Sequence, residues 1–207
     1  MTDSRLRAPG AVGSCGGGAV SDRDSARLVE EAKRELARLV PILDVLTGDL
    51  DAPTARARPA ADEWSPVEIV CHLRDEESLD FGARVRVVLD GGSAFVPIDP
   101  ERWAVERRYR EMALAPTLDE LRRLRAETLG LLDSVAPERL QAAVAHKRLG
   151  SLSGLDLLAA WVAHDRLHLQ QLVATLTRLW ADRWKPLRVE YAGPIPYPRA
   201  EAPRSQP

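Results

Sequence analysis

The chain has 207 residues, which is enough for one domain with a packed core and short extensions. Lys and Arg number 29 against 31 Asp and Glu, so the formal net charge is −2, and 45% of the residues are hydrophobic. This composition excludes a chain too polar to fold, and it argues against a dedicated nucleic-acid-binding protein, which would carry a basic excess.

The two ends of the chain differ in composition from its middle. Residues 1–20 are rich in Gly, Ala and Ser without an apolar period, which predicts a disordered N-terminal extension. Residues 185–207 predict a Pro-rich C-terminal tail, and residues 21–184 a single helical domain. No apolar run approaches the roughly 20 residues of a membrane span, and the start lacks the apolar region of a signal peptide. Two cysteines without a C-x-x-C motif favour a cytoplasmic protein.

The first predicted helix covers residues 22–49, where apolar residues recur every three or four positions from Leu28 to Leu50. Pro41 lies inside this pattern and should kink or split the helix, because proline removes a backbone hydrogen bond.

The second predicted helix covers residues 65–90 and has a well-marked start. Ser65 is a suitable N-cap, Pro66 a suitable first helical residue, and Glu68 completes a capping box. Gly91 and Gly92 should end the helix.

Residues 91–116 predict a long connection with one or two helical turns, since prolines and glycines interrupt any pattern. A capping box that begins at Thr117 predicts a third helix over 117–135, and a fourth helix is expected over 153–180. A short loop with His146 lies between them, and no strand pair is expected. Four long helices with one long connection predict an all-α four-helix bundle.

The fourth helix carries the most informative pair of residues, His164 and His168. Their i, i+4 spacing places both rings on one helix face with Cβ atoms about 6 Å apart. Trp161 and Leu172 make this face apolar, so both imidazoles point into the core. Burying two imidazoles without partners is costly, and one metal ion satisfies both.

The second helix offers a third histidine, His72, on its inward-looking face. Three imidazoles from two helices match the way bundles build metal centres, and they suit divalent Zn, Ni, Fe or Cu with positions left open. Glu76 is a fourth ligand, an acceptor for an imidazole N–H or a general base, and Asp165 lies near enough to orient a ligand. The alternative is that these histidines are hydrogen-bonded core residues and that Asp165 is a surface charge.

Over roughly residues 25–180 the chain resembles the DinB-like superfamily of bacterial metal-binding four-helix bundles. The resemblance rests on Trp64-Ser65, on His72-Leu73 with Glu76, and on the run His164-Asp165-x-x-His168-Leu169-x-Gln171-Leu172. It implies that His72, His164 and His168 are the metal ligands and that the protein forms a homodimer. Relatives include transferases and isomerases that use mycothiol, bacillithiol or glutathione.

The resemblance therefore implies a metal-dependent low-molecular-weight-thiol S-transferase that acts on small electrophiles, in stress response or detoxification. The expected partners are a small-molecule thiol and its electrophilic substrate, with no nucleic acid and no membrane. A metal with an open position lowers the pKa of a bound thiol. Two alternatives stay open: a non-catalytic metal-binding stress or interaction protein, and a metal-dependent hydrolase.

Overall fold

The computed structural model of the protein describes residues 20–195, so the predictions made for residues 1–19 and 196–207 lie outside it. The chain forms α1 (Asp22–Ala37), α2 (Leu39–Thr47), α3 (Ala52–Ala55), α4 (Pro66–Asp75), a π-helical segment (Glu76–Phe81), α5 (Gly82–Leu89), α6 (Pro100–Glu106), α7 (Leu114–Ser134), strands β1 (Ala143–His146) and β2 (Gly150–Ser153), and α8 (Gly154–Arg183). Within this part of the chain, no helix combines the length and the apolar character that crossing a bilayer requires.

Four long helical units make up the bundle: α1 with α2, α4 with α5, α7, and α8. The first unit packs against α7 and α8, and the second unit packs against the same two helices. It follows that the first and second units occupy opposite corners of the bundle. The predicted all-α four-helix bundle is confirmed.

The first unit is split at Arg38, where α1 ends and α2 begins. Pro41 explains the split, because it has no N–H for the carbonyl of Ala37 and its ring crowds that carbonyl. The predicted kink or split is confirmed.

The second unit begins as its sequence indicates, because the Ser65 N–H donates to Glu68 Oε2 at 2.9 Å within a capping box. It continues through the π-helical segment, in which the N–H of Gly82 donates to the carbonyl of Glu77, five residues back. A Cβ at Gly82 would lie 2.2 Å from the Glu77 oxygen, so only glycine fits there. The wider turn buries four residues of the segment: Glu76, Glu77, Asp80 and Phe81.

Two sequence-based expectations are wrong. The third bundle helix begins at Leu114 rather than at Thr117. Pro116 is tolerated in the first turn of a helix, and the Thr117 hydroxyl donates to the Ala113 carbonyl at 2.8 Å instead of capping the helix. The region before α8 is an antiparallel hairpin rather than a strand-free loop, with His146 paired to Gly150. Gly150 adopts φ 81°, which suits the tight three-residue connection.

The core consists of two large apolar clusters stacked along the bundle, and the predicted site lies between them. One cluster surrounds Leu36, Leu158 and Trp161, and the other surrounds Leu43, Ile69 and Leu172. On α8, Trp161 belongs to the first cluster and Leu172 to the second. His164 and His168 lie between them in the chain, so they stand at the level where the two clusters meet.

Candidate metal centre

The side chains of His72, His164 and His168 converge at this level, and we call them the histidine centre. The Nε2 atom of His72 lies 3.3 Å from that of His164 and 3.0 Å from that of His168, and the two α8 nitrogens are 3.1 Å apart. His72 is buried at 4% exposure, and the other two rings are half-buried. The π-helical segment directly follows the helix that carries His72.

These three contacts cannot all be hydrogen bonds. A ring nitrogen carries either a proton or an acceptor lone pair, so three nitrogens in mutual contact cannot each donate and accept. In a tetrahedral zinc site with Zn–N distances of about 2.0–2.1 Å, two ligand nitrogens lie about 3.3 Å apart. The observed spacing therefore fits three imidazoles directed at one shared cation.

Gln171 fixes the orientation of one ring. Its Oε1 lies 2.8 Å from His168 Nδ1. Because an amide oxygen only accepts, the proton of His168 resides on Nδ1, which leaves the Nε2 lone pair directed at the centre. The Nδ1 atoms of His72 and His164 are buried and lack a hydrogen-bond partner within residues 20–195.

Aromatic rings form two walls of the centre. Trp64, just before α4, lies 4.9 Å from the His72 ring and stacks at 6.4 Å on that of His168. Phe81, from the π-helical segment, lies 5.1 Å from the His164 ring. These walls hold the rings in place and exclude water from part of the centre.

The environment keeps the three imidazoles neutral. Burial, together with the other two imidazoles, lowers the pKa of His72 to about 3. Burial, with the neighbouring His168 and Arg125, lowers the pKa of His164 to about 4. Burial also lowers the pKa of His168. Neutral imidazole is the form that binds metal ions.

Glu76 lies behind His72 rather than beside the Nε2 atoms. Its Oε1 is 3.8 Å from His72 Nδ1, too far for a hydrogen bond but close enough to face that ring nitrogen. Burial, followed by the charge of Asp80, raises the pKa of Glu76 to about 8. Asp80 is itself paired with Arg84. Glu76 is thus near the His72 ring but bonded to none of its atoms, and its role as ligand, acceptor or general base stays a prediction.

Asp165 binds Arg125 rather than a histidine ring. Its Oδ2 accepts a hydrogen bond from Arg125 NH1 at 2.8 Å, and its Oδ1 is buried without a partner among the described residues. The carboxylate is thus buried in an ionic contact on α8. It is neither a surface charge nor directly bonded to an imidazole.

Cys71 is adjacent to His72 in sequence but points elsewhere. It is fully buried beside Tyr109 and Thr117, and burial raises the pKa of its thiol to about 11. A protonated, enclosed thiol is a poor nucleophile, so Cys71 acts as a small packing residue.

Sequence reasoning did not assign Gln171, Trp64, Phe81 or Arg125 to the site. The i+3 spacing of Gln171 from His168 was an available signal, because that spacing places the amide on the same face as the ring. The other three come close to the centre through tertiary packing alone.

Comparisons with known proteins agree with the observed fold. The structure resembles that of YfiT from Bacillus subtilis, reported as a probable metal-dependent hydrolase with an unusual four-helix bundle topology; the TM-score is 0.66 at 16% identity, over 78% of this chain and 90% of YfiT. No curated protein matches the chain significantly. The family model of the DinB superfamily matches residues 31–172, well over half of the chain. The protein therefore belongs to the DinB superfamily.

Proposed function

We propose that this protein binds one divalent metal ion through the Nε2 atoms of His72, His164 and His168 and uses it to activate a nucleophile. The observation that carries the proposal is the mutual 3.0–3.3 Å spacing of the three nitrogens, which neutral imidazoles do not adopt through hydrogen bonds to one another. Zn, Ni and Fe all suit such a donor set, since imidazole sites follow metal availability as well as preference.

The reaction that we propose is the transfer of a low-molecular-weight thiol to a small electrophile. Three protein ligands leave positions for an incoming group, and a bound divalent metal lowers the pKa of a thiol or a water there. The chain itself orients one of the ligands, because Gln171 Oε1 accepts a hydrogen bond from His168 Nδ1. Glu76 lies 3.8 Å from His72 Nδ1 and makes no hydrogen bond to it. Trp64 and Phe81 limit the access of water to the rings.

Metal-dependent hydrolysis is the second candidate. It is favoured by the likeness of the fold to YfiT, whose report describes a probable metal-dependent hydrolase. The same residues would serve, with water instead of the thiol as the nucleophile.

One experiment separates these reactions. Metal-loaded protein, chelator-treated protein and His168→Ala are each incubated with a panel of cellular thiols plus 1-chloro-2,4-dinitrobenzene, and separately with ester and amide substrates. Thiol-dependent turnover that disappears in both controls supports the transferase. Turnover without added thiol supports the hydrolase. Inactivity throughout, with metal bound and the fold intact, favours a non-catalytic metal-binding protein and contradicts both reactions.

We also propose that the protein is a cytoplasmic homodimer that binds neither nucleic acid nor membranes. The near-neutral charge supports the part on nucleic acid, because phosphate binding needs a basic excess. Analytical ultracentrifugation of the full chain measures the oligomeric state, and a monomer at all accessible concentrations would contradict the dimer.

A further inference from the structure

A buried ionic group lies directly behind the histidine centre, and we call it the arginine cluster: Arg125, Glu77, Asp165 and the carbonyl of Leu36. Arg125 is only 3% exposed. Its Nε donates to Glu77 Oε2 at 2.8 Å, and its NH1 donates to Asp165 Oδ2 at 2.8 Å and to the Leu36 carbonyl at 2.7 Å. One guanidinium thus joins α1, the π-helical segment, α7 and α8.

The two carboxylate partners of Arg125 lie on the two chain segments that supply the histidines. Asp165 directly follows His164 on α8, and Glu77 follows His72 by five residues, in the π-helical segment. Moving either carboxylate along its helix would therefore move a ring of the histidine centre.

A second route leads from Arg125 to the same rings. The guanidinium lies 5.4 Å from the centre of the Trp161 ring. Trp161 stacks on Phe81 at 5.4 Å, and Phe81 in turn contacts the His164 ring at 5.1 Å. The guanidinium therefore supports the aromatic wall of the centre as well as the helices that carry its ligands.

We propose that Arg125 is a positioning residue of the metal centre: it fixes the separation and register of α8 and the π-helical segment so that three Nε2 atoms meet. This inference rests on the proposed metal binding at His72, His164 and His168. It assigns the affinity of that site in part to a residue that contacts none of the three rings.

The geometry requires an arginine rather than any cation. The edge of the guanidinium formed by Nε and NH2 is directed at Glu77 Oε2, and NH1 donates to both Asp165 and the Leu36 carbonyl. A lysine has a single nitrogen and cannot reach these three partners from one fixed plane. Arg125→Lys thus keeps the buried positive charge but removes the link between the two segments.

The test compares two arginine-to-lysine substitutions on the same helix. Arg122 lies one turn earlier on α7 and also binds carboxylates, but at the surface, through Asp44 and Asp119. We expect Arg125→Lys to raise the dissociation constant for Zn²⁺ by about tenfold, the lower end of the loss seen when a group bonded directly to a metal ligand is altered, because Arg125 acts on the ligands only through their helices. Arg122→Lys should bind as the wild type does. Dissociation constants are measured by competition with a chromophoric chelator at a temperature where all proteins are folded.

The visible absorption spectrum of the Co²⁺-loaded protein supplies a readout that simple destabilisation does not move. A change in band position or intensity in Arg125→Lys, with none in Arg122→Lys, supports altered ligand geometry. If Arg125→Lys does not fold, the variant Arg125→Met/Glu77→Leu/Asp165→Leu replaces the charges by apolar side chains, which keeps a buried site free of unpaired charge. This variant should show the same loss of affinity.

Each result has a defined meaning. A wild-type protein that binds no metal contradicts the proposed function and this inference with it. If the wild type binds metal and the folded Arg125 variant binds Zn²⁺ with a dissociation constant within about twofold of wild type, only the positioning role is overturned. A change of about twofold lies well below the roughly tenfold loss that we expect.

Discussion

The histidine centre and the arginine cluster lie side by side in one bundle core, but they satisfy their polar atoms in different ways. Each charged side chain of the cluster has at least one direct partner of opposite charge. Within residues 20–195, the three Nε2 atoms of the histidine centre lie within hydrogen-bond distance of one another and of no other polar group. The charges of the cluster are thus compensated within it, although Glu77 Oε1, Arg125 NH2 and Asp165 Oδ1 have no hydrogen-bond partner among the described residues. The histidine centre holds no group of opposite charge or role for its three Nε2 atoms, and a shared cation would fit it.

This difference assigns separate roles to two buried polar groups that share the same helices. Removing the guanidinium would leave Glu77 and Asp165 uncompensated, which typically costs about 3–5 kcal/mol of folding free energy. Removing an imidazole leaves no buried charge behind, because the rings are neutral. Changes in the arginine cluster should therefore appear first in stability, and changes in the histidine centre first in metal content.

The largest expected effect tests this distinction directly. We expect the purified wild type to carry roughly one divalent ion per chain, and His164→Ala and His168→Ala should each lose most of it, because two imidazoles do not hold a divalent ion as three do. Elemental analysis of the purified protein measures the metal content. His146→Gln is the matched control, since His146 lies in the hairpin, where its Nδ1 accepts hydrogen bonds from the Arg148 and Leu149 N–H groups. Full occupancy in a triple His72/His164/His168 alanine variant would refute the site.

A second prediction concerns the pH dependence of stability in the metal-free protein. The folded pKa values of His72 and His164, about 3 and about 4, lie below the ordinary 6.5, so the unfolded state binds more protons between these values. The contribution of these two rings to the free energy of unfolding is therefore intact above pH 6.5 and is lost as the pH falls. Between pH 7 and pH 4 we expect a loss of a few kcal/mol from these two rings.

Glu76 acts in the opposite direction and has to be separated from the histidines. Its pKa in the folded protein, about 8, lies above the ordinary 4.5, so its contribution to the free energy of unfolding falls as the pH rises from 4.5 to 8. The variant His72→Leu/His164→Leu retains Glu76 and removes both rings. Urea denaturation of chelator-treated wild type and variant at several pH values measures how the free energy of unfolding of each protein depends on pH, and the difference between the two curves is the effect of the rings. Parallel curves for the two proteins would show that the rings are not held neutral.

A third, smaller effect is expected at Gln171. Gln171→Leu removes the acceptor for His168 Nδ1–H while keeping a side chain of similar length. The Zn²⁺ dissociation constant should rise about tenfold, because the ring loses its fixed orientation. Gln170→Leu, at the neighbouring exposed position, is the control. Chelator competition with an unchanged affinity in Gln171→Leu would mean that packing by Trp64 is sufficient to orient the ring.

The same two regions show how far sequence reasoning reached. The i, i+4 histidines on an apolar stripe predicted the α8 half of the centre, and the inward stripe of α4 predicted His72. For the arginine cluster the sequence held only half of the signal. Arg125 follows Leu121 by four residues and precedes Thr128 by three, so helical spacing alone places it on the buried face of α7. Its partners could not be predicted, because they lie 48, 40 and 89 residues away along the chain.

Local backbone variations were the other features that the sequence did not reveal. The π-helical segment has an ordinary amphipathic sequence. The glycine that follows it, Gly82, is the one local feature that could indicate a π-helix, but a glycine can equally stand in an α-helix, where it only lowers the helix propensity. The hairpin strands consist largely of Ala, Ser, Gly and His, and Val144 is their one β-branched residue, so they lack the composition of a recognisable strand. Both features form because tertiary packing selects them, Val144 being buried on β1.

The smallest expected effect concerns residues 1–20, whose removal should change neither region. These residues lack apolar side chains in a helical period, and Val20, the one residue of the stretch that the structure describes, keeps 39% of its surface exposed. Deletion of residues 1–20 should leave metal content unchanged and shift the melting temperature by no more than a few degrees. Ser21→Ala calibrates the measurement, because this N-cap accepts from the Asp24 N–H at 3.2 Å and its loss should cost about 1 kcal/mol. A deletion that lowers the melting temperature by more than the cap variant does would show that the extension packs against the bundle.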